Sequence, residues 1–220
     1  MMKILLISLL SFFTLNGFSQ NNKLGVSDPD AKAILDKVSA KFKTYKTVTA
    51  DFTLSITNAS GKVEGTKKGV VYMKGSKYRV NISGQEIYSD GENIWTYDKS
   101  TNEVQLTKFD PSSNTITPQK MFTNFYDKDF LYKLNGDKEE GKKTVQEIEL
   151  TPVDKTKTFF KVLVDVDKVT KNIVSSKVFE KNGDRYIYTV NSMKSNSDLP
   201  DSLFTFDAKK YPNVEVVDLR

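Results

Sequence analysis

The chain contains no cysteine and no histidine among its 220 residues. The first absence excludes disulfides and thiolate nucleophiles, and it leaves a leader peptide no cysteine to carry a lipid. The second excludes Ser-His-Asp and Cys-His nucleophilic sites and most zinc sites. No Gly-x-x-x-x-Gly-Lys-Ser/Thr or Gly-x-Gly-x-x-Gly stretch is present to cradle phosphates. Long runs of one charge are missing too. The 33 Lys and Arg are interleaved with 28 Asp and Glu, as in Lys138-Glu-Glu-Gly-Lys-Lys143. Recognition of nucleic acid needs a concentrated basic patch, so no nucleic-acid partner is expected.

Paired carboxylates are the remaining route to hydrolysis. Asp165 and Asp167 alternate with Val164 and Val166, which reads as the wet face of an edge strand. Asp127 and Asp129 flank Lys128 in a loop. Both pairs read as solvated surface. The chain is therefore read as a non-enzyme, with no catalytic residues, no cofactor and no metal. Without disulfides or metal, the fold rests on its apolar core, for which a chain of this length suffices in one domain.

What is present begins with a leader. Lys3 precedes an apolar stretch from Ile4 to Leu15 that is too short to read as a membrane span. Gly17-Phe18-Ser19 places small residues at a cleavage site. Residues 1–19 are thus expected to be a signal peptide, cut before Gln20, with 20–220 forming a single soluble domain. An uncleaved anchor is the other reading.

Ser27-Asp28-Pro29 is a helix start, with proline in the first turn. Ile34, Leu35, Val38, Phe42 and Tyr45 then make one apolar stripe. The stripe suits a helix packed on a sheet, or one covering the mouth of a cavity. Val48, Ala50, Phe52, Leu54 and Ile56 alternate with polar residues, as in a half-buried strand. From Gly69 to Asp98, three aromatic and β-branched runs are separated by Gly75-Ser76, Ser83-Gly84 and Asp90-Gly91, the pattern of an antiparallel meander. Trp95 and Tyr97 point to one face of its last strand.

Residues 109–132 interrupt the β pattern. Met121, Phe122, Phe125 and Tyr126 follow Thr117-Pro118 at helical spacing, and Phe130 and Leu131 extend the apolar content. So much apolar surface in a connection must be buried, either as a satellite core or as a mobile lid. Beyond it, runs at 145–150, 159–166, 173–179, 185–190, 204–206 and 214–217 again read as strands. The fold class is mainly β with a few helices (α+β). It is a single antiparallel sheet of roughly 10–11 strands that curls on itself.

The segment Ser89-Asp90-Gly91-Glu92-Asn93-Ile94-Trp95-Thr96-Tyr97-Asp98 resembles the LolA-type outer-membrane lipoprotein carrier family. Met73-Lys74-Gly75-Ser76-Lys77-Tyr78-Arg79-Val80 resembles that family's segment of basic residue, proline, turn, aromatic, arginine and tryptophan. Leu150-Thr151-Pro152 resembles its Leu-x-Pro strand. Leu203-Phe204-Thr205-Phe206 and Pro212-Asn213-Val214-Glu215-Val216 resemble its C-terminal signature. The motifs occur in order over nearly all of 28–218.

The resemblance implies an unclosed half-barrel with a helical lid over a hydrophobic cavity that carries lipoprotein acyl chains across the periplasm of a Gram-negative bacterium. Ten exposed methylenes cost about 8 kcal/mol in water, so such cargo needs a shield. The implied partners are acylated lipoproteins, an inner-membrane lipoprotein-releasing transporter and an outer-membrane acceptor, with the carrier a monomer. A periplasmic lipid-binding or lipoprotein-sensing regulator of the same fold is the alternative. Phe52, Leu54, Tyr78, Val80, Trp95 and Tyr97 are the expected cavity wall, with Met121, Phe122 and Phe125 above it. Lys74 stands where the family often has an arginine, and is expected to hold the lid, residues 118–131, by donating to its carbonyls. Gly75 replaces the family's proline and Val80 its tryptophan. Lysine lacks arginine's fork of donors, so gating here is expected to be weaker or to use other residues.

Overall fold

The structure, a computed structural model, describes residues 27–110 and 126–220. The expected leader and cleavage site, and Met121, Phe122 and Phe125, lie outside the described residues.

Asp28 starts helix α1 (Pro29–Lys43), its carboxylate accepting from the amide of Asp30 at 2.8 Å. Proline in the first turn and Lys41 and Lys43 in the last complement the helix dipole and its unpaired amides. Six strands follow: β1 (Thr47–Thr57), β2 (Val63–Lys74), β3 (Lys77–Ile82), β4 (Gln85–Ser89), β5 (Asn93–Asp98) and β6 (Glu103–Lys108). The turns of this meander fall where the glycines predict. Gly75, Gly84 and Gly91 all have positive φ, which costs glycine nothing. A one-turn helix α2 (Tyr126–Asp129) then leads into β7 (Phe130–Glu140), β8 (Lys143–Pro152), β9 (Phe159–Asp167), β10 (Ile173–Glu180) and β11 (Arg185–Ser195). The C-terminal segment runs through 3-10 turns at Asp201–Phe204 and Ala208–Lys210 to β12 (Glu215–Asp218).

Among the described residues, the twelve strands form one sheet in the order β12-β6-β5-β4-β3-β2-β1-β11-β10-β9-β8-β7. Its ends, β12 and β7, are not neighbours, so the curled sheet stays open. Every pairing is antiparallel except β12 on β6. At the β7 end, Asp28 blunts the edge. Its amide donates to the Tyr132 carbonyl at 2.9 Å, and its carboxylate accepts from the Leu134 amide at 3.0 Å. One residue thus caps a helix and occupies edge groups that would otherwise invite pairing.

The register divides the strands into an inner face, covered at one end by α1, and an outer face. Ile34, Leu35 and Val38 pack on Tyr132, Ile148, Leu150, Val162, Val164 and Val166. Phe42 and Tyr45 reach further along, to the cluster of Val48, Ala50, Val71, Met73 and Tyr78.

Three expectations need correction. No strand forms at the expected 204–206, where Phe204 ends a 3-10 turn and residues 205 and 206 are irregular, whereas β7 was unforeseen. Phe130, Tyr132 and Leu134 do alternate, but a bulge between Leu134 and Gly136 breaks the pattern. β9 is an interior strand, not an edge. Asp165 and Asp167 are buried, the first beside Lys138 at 2.8 Å and bonded by Ser175, the second accepting the amides of Val169 and Thr170. Asp129 ends α2 rather than lying in a loop, and Phe130 and Leu131 open β7 rather than belonging to a lid.

Candidate functional site: the inner wall and the C-terminal strap

Inner-face positions line up across the sheet through register. One row runs Met193, Ala50, Val71, Val80, Ile87 and Thr96. The next runs Val190, Phe52, Gly69, Ile82 and Gln85. These rows exist because strand side chains alternate and the apolar set of each strand has one parity. Phe52, Leu54, Tyr78 and Val80 share this face. Leu54 and Tyr78 are buried, while Phe52 and Val80 are half-buried. Phe52 lies 6.3 Å, ring to ring, from Tyr188. Burial raises the pKa of Tyr188, and burial likewise raises that of Tyr78 against a bond with Ser89.

Gly69 makes space in this wall. A Cβ there would sit 2.5 Å from the Phe52 ring and 2.7 Å from the Asn81 carbonyl oxygen. The Phe52 ring therefore comes close against β2 at Gly69, in space that a side chain there would fill. Where α1 ends, Phe42, Tyr45, Ile173 and Met193 line a small cleft.

Trp95 and Tyr97 do not belong to this wall. Ser89 pairs with Tyr78 and with Ile94, which places Ile94 and Thr96 on the inner face and Trp95 and Tyr97 on the outer. There they meet Tyr88 and Val104 and are covered by Phe206, Tyr211 and Val214 of the C-terminal strap. Phe206 stacks on Tyr211 at 4.7 Å, and Tyr97 tilts against Tyr211 at 4.6 Å. The loop lengths of the two hairpins carried the signal for this. Each makes the paired residue numbers sum to an odd value, so the inward parity switches at every turn.

The strap is held by charge as well as by rings. Glu86 is buried on the outer face. Arg79 donates to it at 2.9 Å, Lys99 lies 2.7 Å away, and the hydroxyls of Tyr88 and Tyr211 also bond it. Burial pushes the Glu86 pKa up, but the bonds from Lys99, Tyr88 and Arg79 outweigh this and hold it down at about 2. Asn102, at positive φ, donates to the carbonyls of Pro212 and Asn213.

Lys74 is the other anchor. Its ammonium donates to the Leu199 carbonyl at 2.7 Å and pairs with Asp201 at 2.9 Å, and Lys77 reaches the same carboxylate at 2.8 Å. Bonds from Lys74 and Lys77 lower the Asp201 pKa to about 2. Among the described residues, Lys74 therefore holds the strap and not residues 126–131 of the expected lid. In that segment Tyr126 is buried and donates to Asp36 of α1, while Phe130 stacks on Phe159. Residues 118–125 lie outside the described residues.

No helix among the described residues is long and apolar enough to cross a membrane. The curated relatives include outer-membrane lipoprotein carrier proteins of Cupriavidus necator and Cupriavidus pinatubonensis. The first is 25% identical over 197 residues, covering 86% of this chain and 90% of the relative. The second is 26% identical over 190 residues, covering 83% and 87%. Among solved structures, an uncharacterized conserved protein of Thermus thermophilus matches with a TM-score of 0.57 at 14% identity, over 86% of this chain and 99% of that one. This likeness concerns the fold. The profile of the family described as "Outer membrane lipoprotein carrier protein LolA" matches residues 43–207, from the end of α1 to just beyond Phe206. With the inner wall and the first part of the strap, through Phe206, inside that span, the chain belongs to the LolA family.

Proposed function

We propose that this protein binds the acyl chains of lipoproteins against its inner wall and ferries them through the periplasm from inner to outer membrane. The carrying observation is the pair of apolar rows across β11, β1, β2, β3 and β4, in which Phe52, Val80, Ile87, Val190 and Met193 remain only half-buried. Such a wall suits flexible methylene chains, which need area and no directional partner. Each methylene removed from water contributes about 0.8 kcal/mol. An inner-membrane releasing transporter as donor and an outer-membrane acceptor as recipient follow from this reading, with the carrier acting as a monomer.

The role asks for shielding and release, and a non-covalent wall provides both. The experiment is mass spectrometry of protein purified from the periplasm, with Leu54→Asp and Val80→Asp as controls. Acylated peptide copurifying with the wild type and lost from both variants supports a carrier. Free lipid alone points to the regulator that senses lipid. Absence of any acyl species from freshly prepared protein sinks both.

A further inference from the structure

We infer that the overhanging edge of β2, residues 63–68, is a docking site for an extended acidic peptide, which adds to it as a further strand. This rests on the carrier reading in one respect: the peptide is the segment that leads away from the acylated end of the cargo.

The edge arises from unequal strand lengths. On one side β2 pairs with β1 along its whole length, from Lys74 opposite Thr47 to Val63 opposite Thr57. On the other side β3 pairs with it only from Lys74 to Gly69, because the chain turns away at Ser83-Gly84. Residues 63–68 therefore have no neighbour on that side among the described strands. Every second residue of such an edge directs its N–H and C=O outward. Six residues span about 20 Å, enough for a short extended peptide.

The notch where β3 stops is a groove of about 400 Å³ whose lining includes Asp51, Lys68, Gly69, Asn81, Gly84 and Lys99. The Asn81 carboxamide oxygen is buried in this region and has no hydrogen-bond partner among the described residues. A buried acceptor of this kind is rare unless something else donates to it.

Charge selects the peptide. Lys67 lies opposite Leu54 on the inner face, and Lys68 lies opposite Thr53 on the outer face. Both are exposed. Cations thus flank the edge on both sides, and an acidic side chain of either parity in the incoming strand meets one. Lys99 adds a third at the groove, already paired with Glu86. Two acids lie here as well, and both are engaged: Glu64 on the edge accepts from Asn58 at 3.2 Å, and Asp51 in the groove accepts from Ser192 at 2.6 Å.

Position links the edge to the cargo. Lys67 and Gly69 are the register partners of Leu54 and Phe52. A chain whose lipid lies on those wall residues emerges beside residues 65–69.

The test uses the full chain and two capped, lipid-free eight-residue peptides, one rich in aspartate and glutamate with threonine, the other with lysine in place of the acids. Amide hydrogen exchange is read segment by segment. The acidic peptide is expected to slow exchange within 63–68 and to bind at least about tenfold more tightly than the lysine peptide. Lys67→Glu combined with Lys68→Glu is expected to reverse that order, since like charges across a contact are strongly disfavoured. Unchanged exchange at 63–68 under saturating acidic peptide overturns the site. Equal binding of both peptides overturns the charge selection on which it rests. An acylated form of the acidic peptide separates the two readings. Acyl binding at the wall without slowed exchange at 63–68 rejects the edge alone, whereas slowed exchange by the lipid-free peptide with no acyl binding rejects the carrier alone.

Discussion

Lys74 and Asp201, 127 positions apart in sequence, lie with ammonium and carboxylate 2.9 Å from each other, and the same ammonium donates to the Leu199 carbonyl. The pair ties the turn of the β2–β3 hairpin to the start of the strap that crosses the outer face.

Lys74→Leu is expected to speed amide exchange at residues 199–204 and to lower stability by about 1 kcal/mol. The ion pair is largely exposed and contributes little, so most of the loss comes from the carbonyl of Leu199, which is left without its donor. Exchange at 199–204 equal to wild type would show that the strap does not depend on this lysine.

Glu86→Gln should cost about 2 kcal/mol at pH 7, because Arg79 and Lys99 lose a carboxylate that is itself out of water. The cost should depend on pH. Glu86 has a folded pKa of about 2 against an ordinary value of 4.5. Its contribution is therefore complete above about pH 5, declines as pH falls through 4.5, and is gone below about 2. Denaturant melts of both proteins from pH 7 to pH 2 should show the gap closing over that window. A gap constant with pH would mean that the bonds do not depend on the charge.

Gly69→Ala is expected to destabilise the fold by about 1–3 kcal/mol. Its methyl meets the Phe52 ring, which can move, and the Asn81 carbonyl, which cannot without breaking register. Acyl binding should fall as well, since Phe52 is displaced from the wall. Thermal melts and a fluorescent fatty-acyl probe measure the two effects. A variant with unaltered melting and binding would contradict the close approach of Phe52 to β2.

Trp95 fluorescence should stay unchanged during titration with an acylated peptide, because the ring lies on the strap side of the sheet. Val80→Trp, which places an indole on the inner wall, should shift its emission on loading in a Trp95→Phe background. A response from Trp95 and none from the new indole would reverse the assignment of faces.

Local pattern determined much of this protein. The N-cap at Asp28, the apolar stripe of α1, the alternation of β1 and the glycine turns of the meander are all set by neighbours within a few residues, where backbone sterics and side-chain parity act directly. The family resemblance rests on the same local segments. Alternation also put Phe52 with Leu54, Tyr78 with Val80, and Trp95 with Tyr97, while register across the strands joined the first two pairs on one face and set the third on the other.

Which face is inner is not a local property. It depends on register across hairpins and on which distant segment covers each side. α1 covers one face, and Phe206 and Tyr211 cover the other. Glu86 looked like any strand acid until Arg79, Lys99, Tyr88 and Tyr211 converged on it. β7 was hidden because a bulge at Gly136 shifts its register midway. Only the fold set the partner of Lys74, since an ion pair across 127 residues has no trace in the pattern around either end. The sequence alone determines most of the strands and turns, because those energies are short-range. The tertiary structure decides which apolar face stays uncovered for a ligand, because that depends on which distant segments compete to cover it.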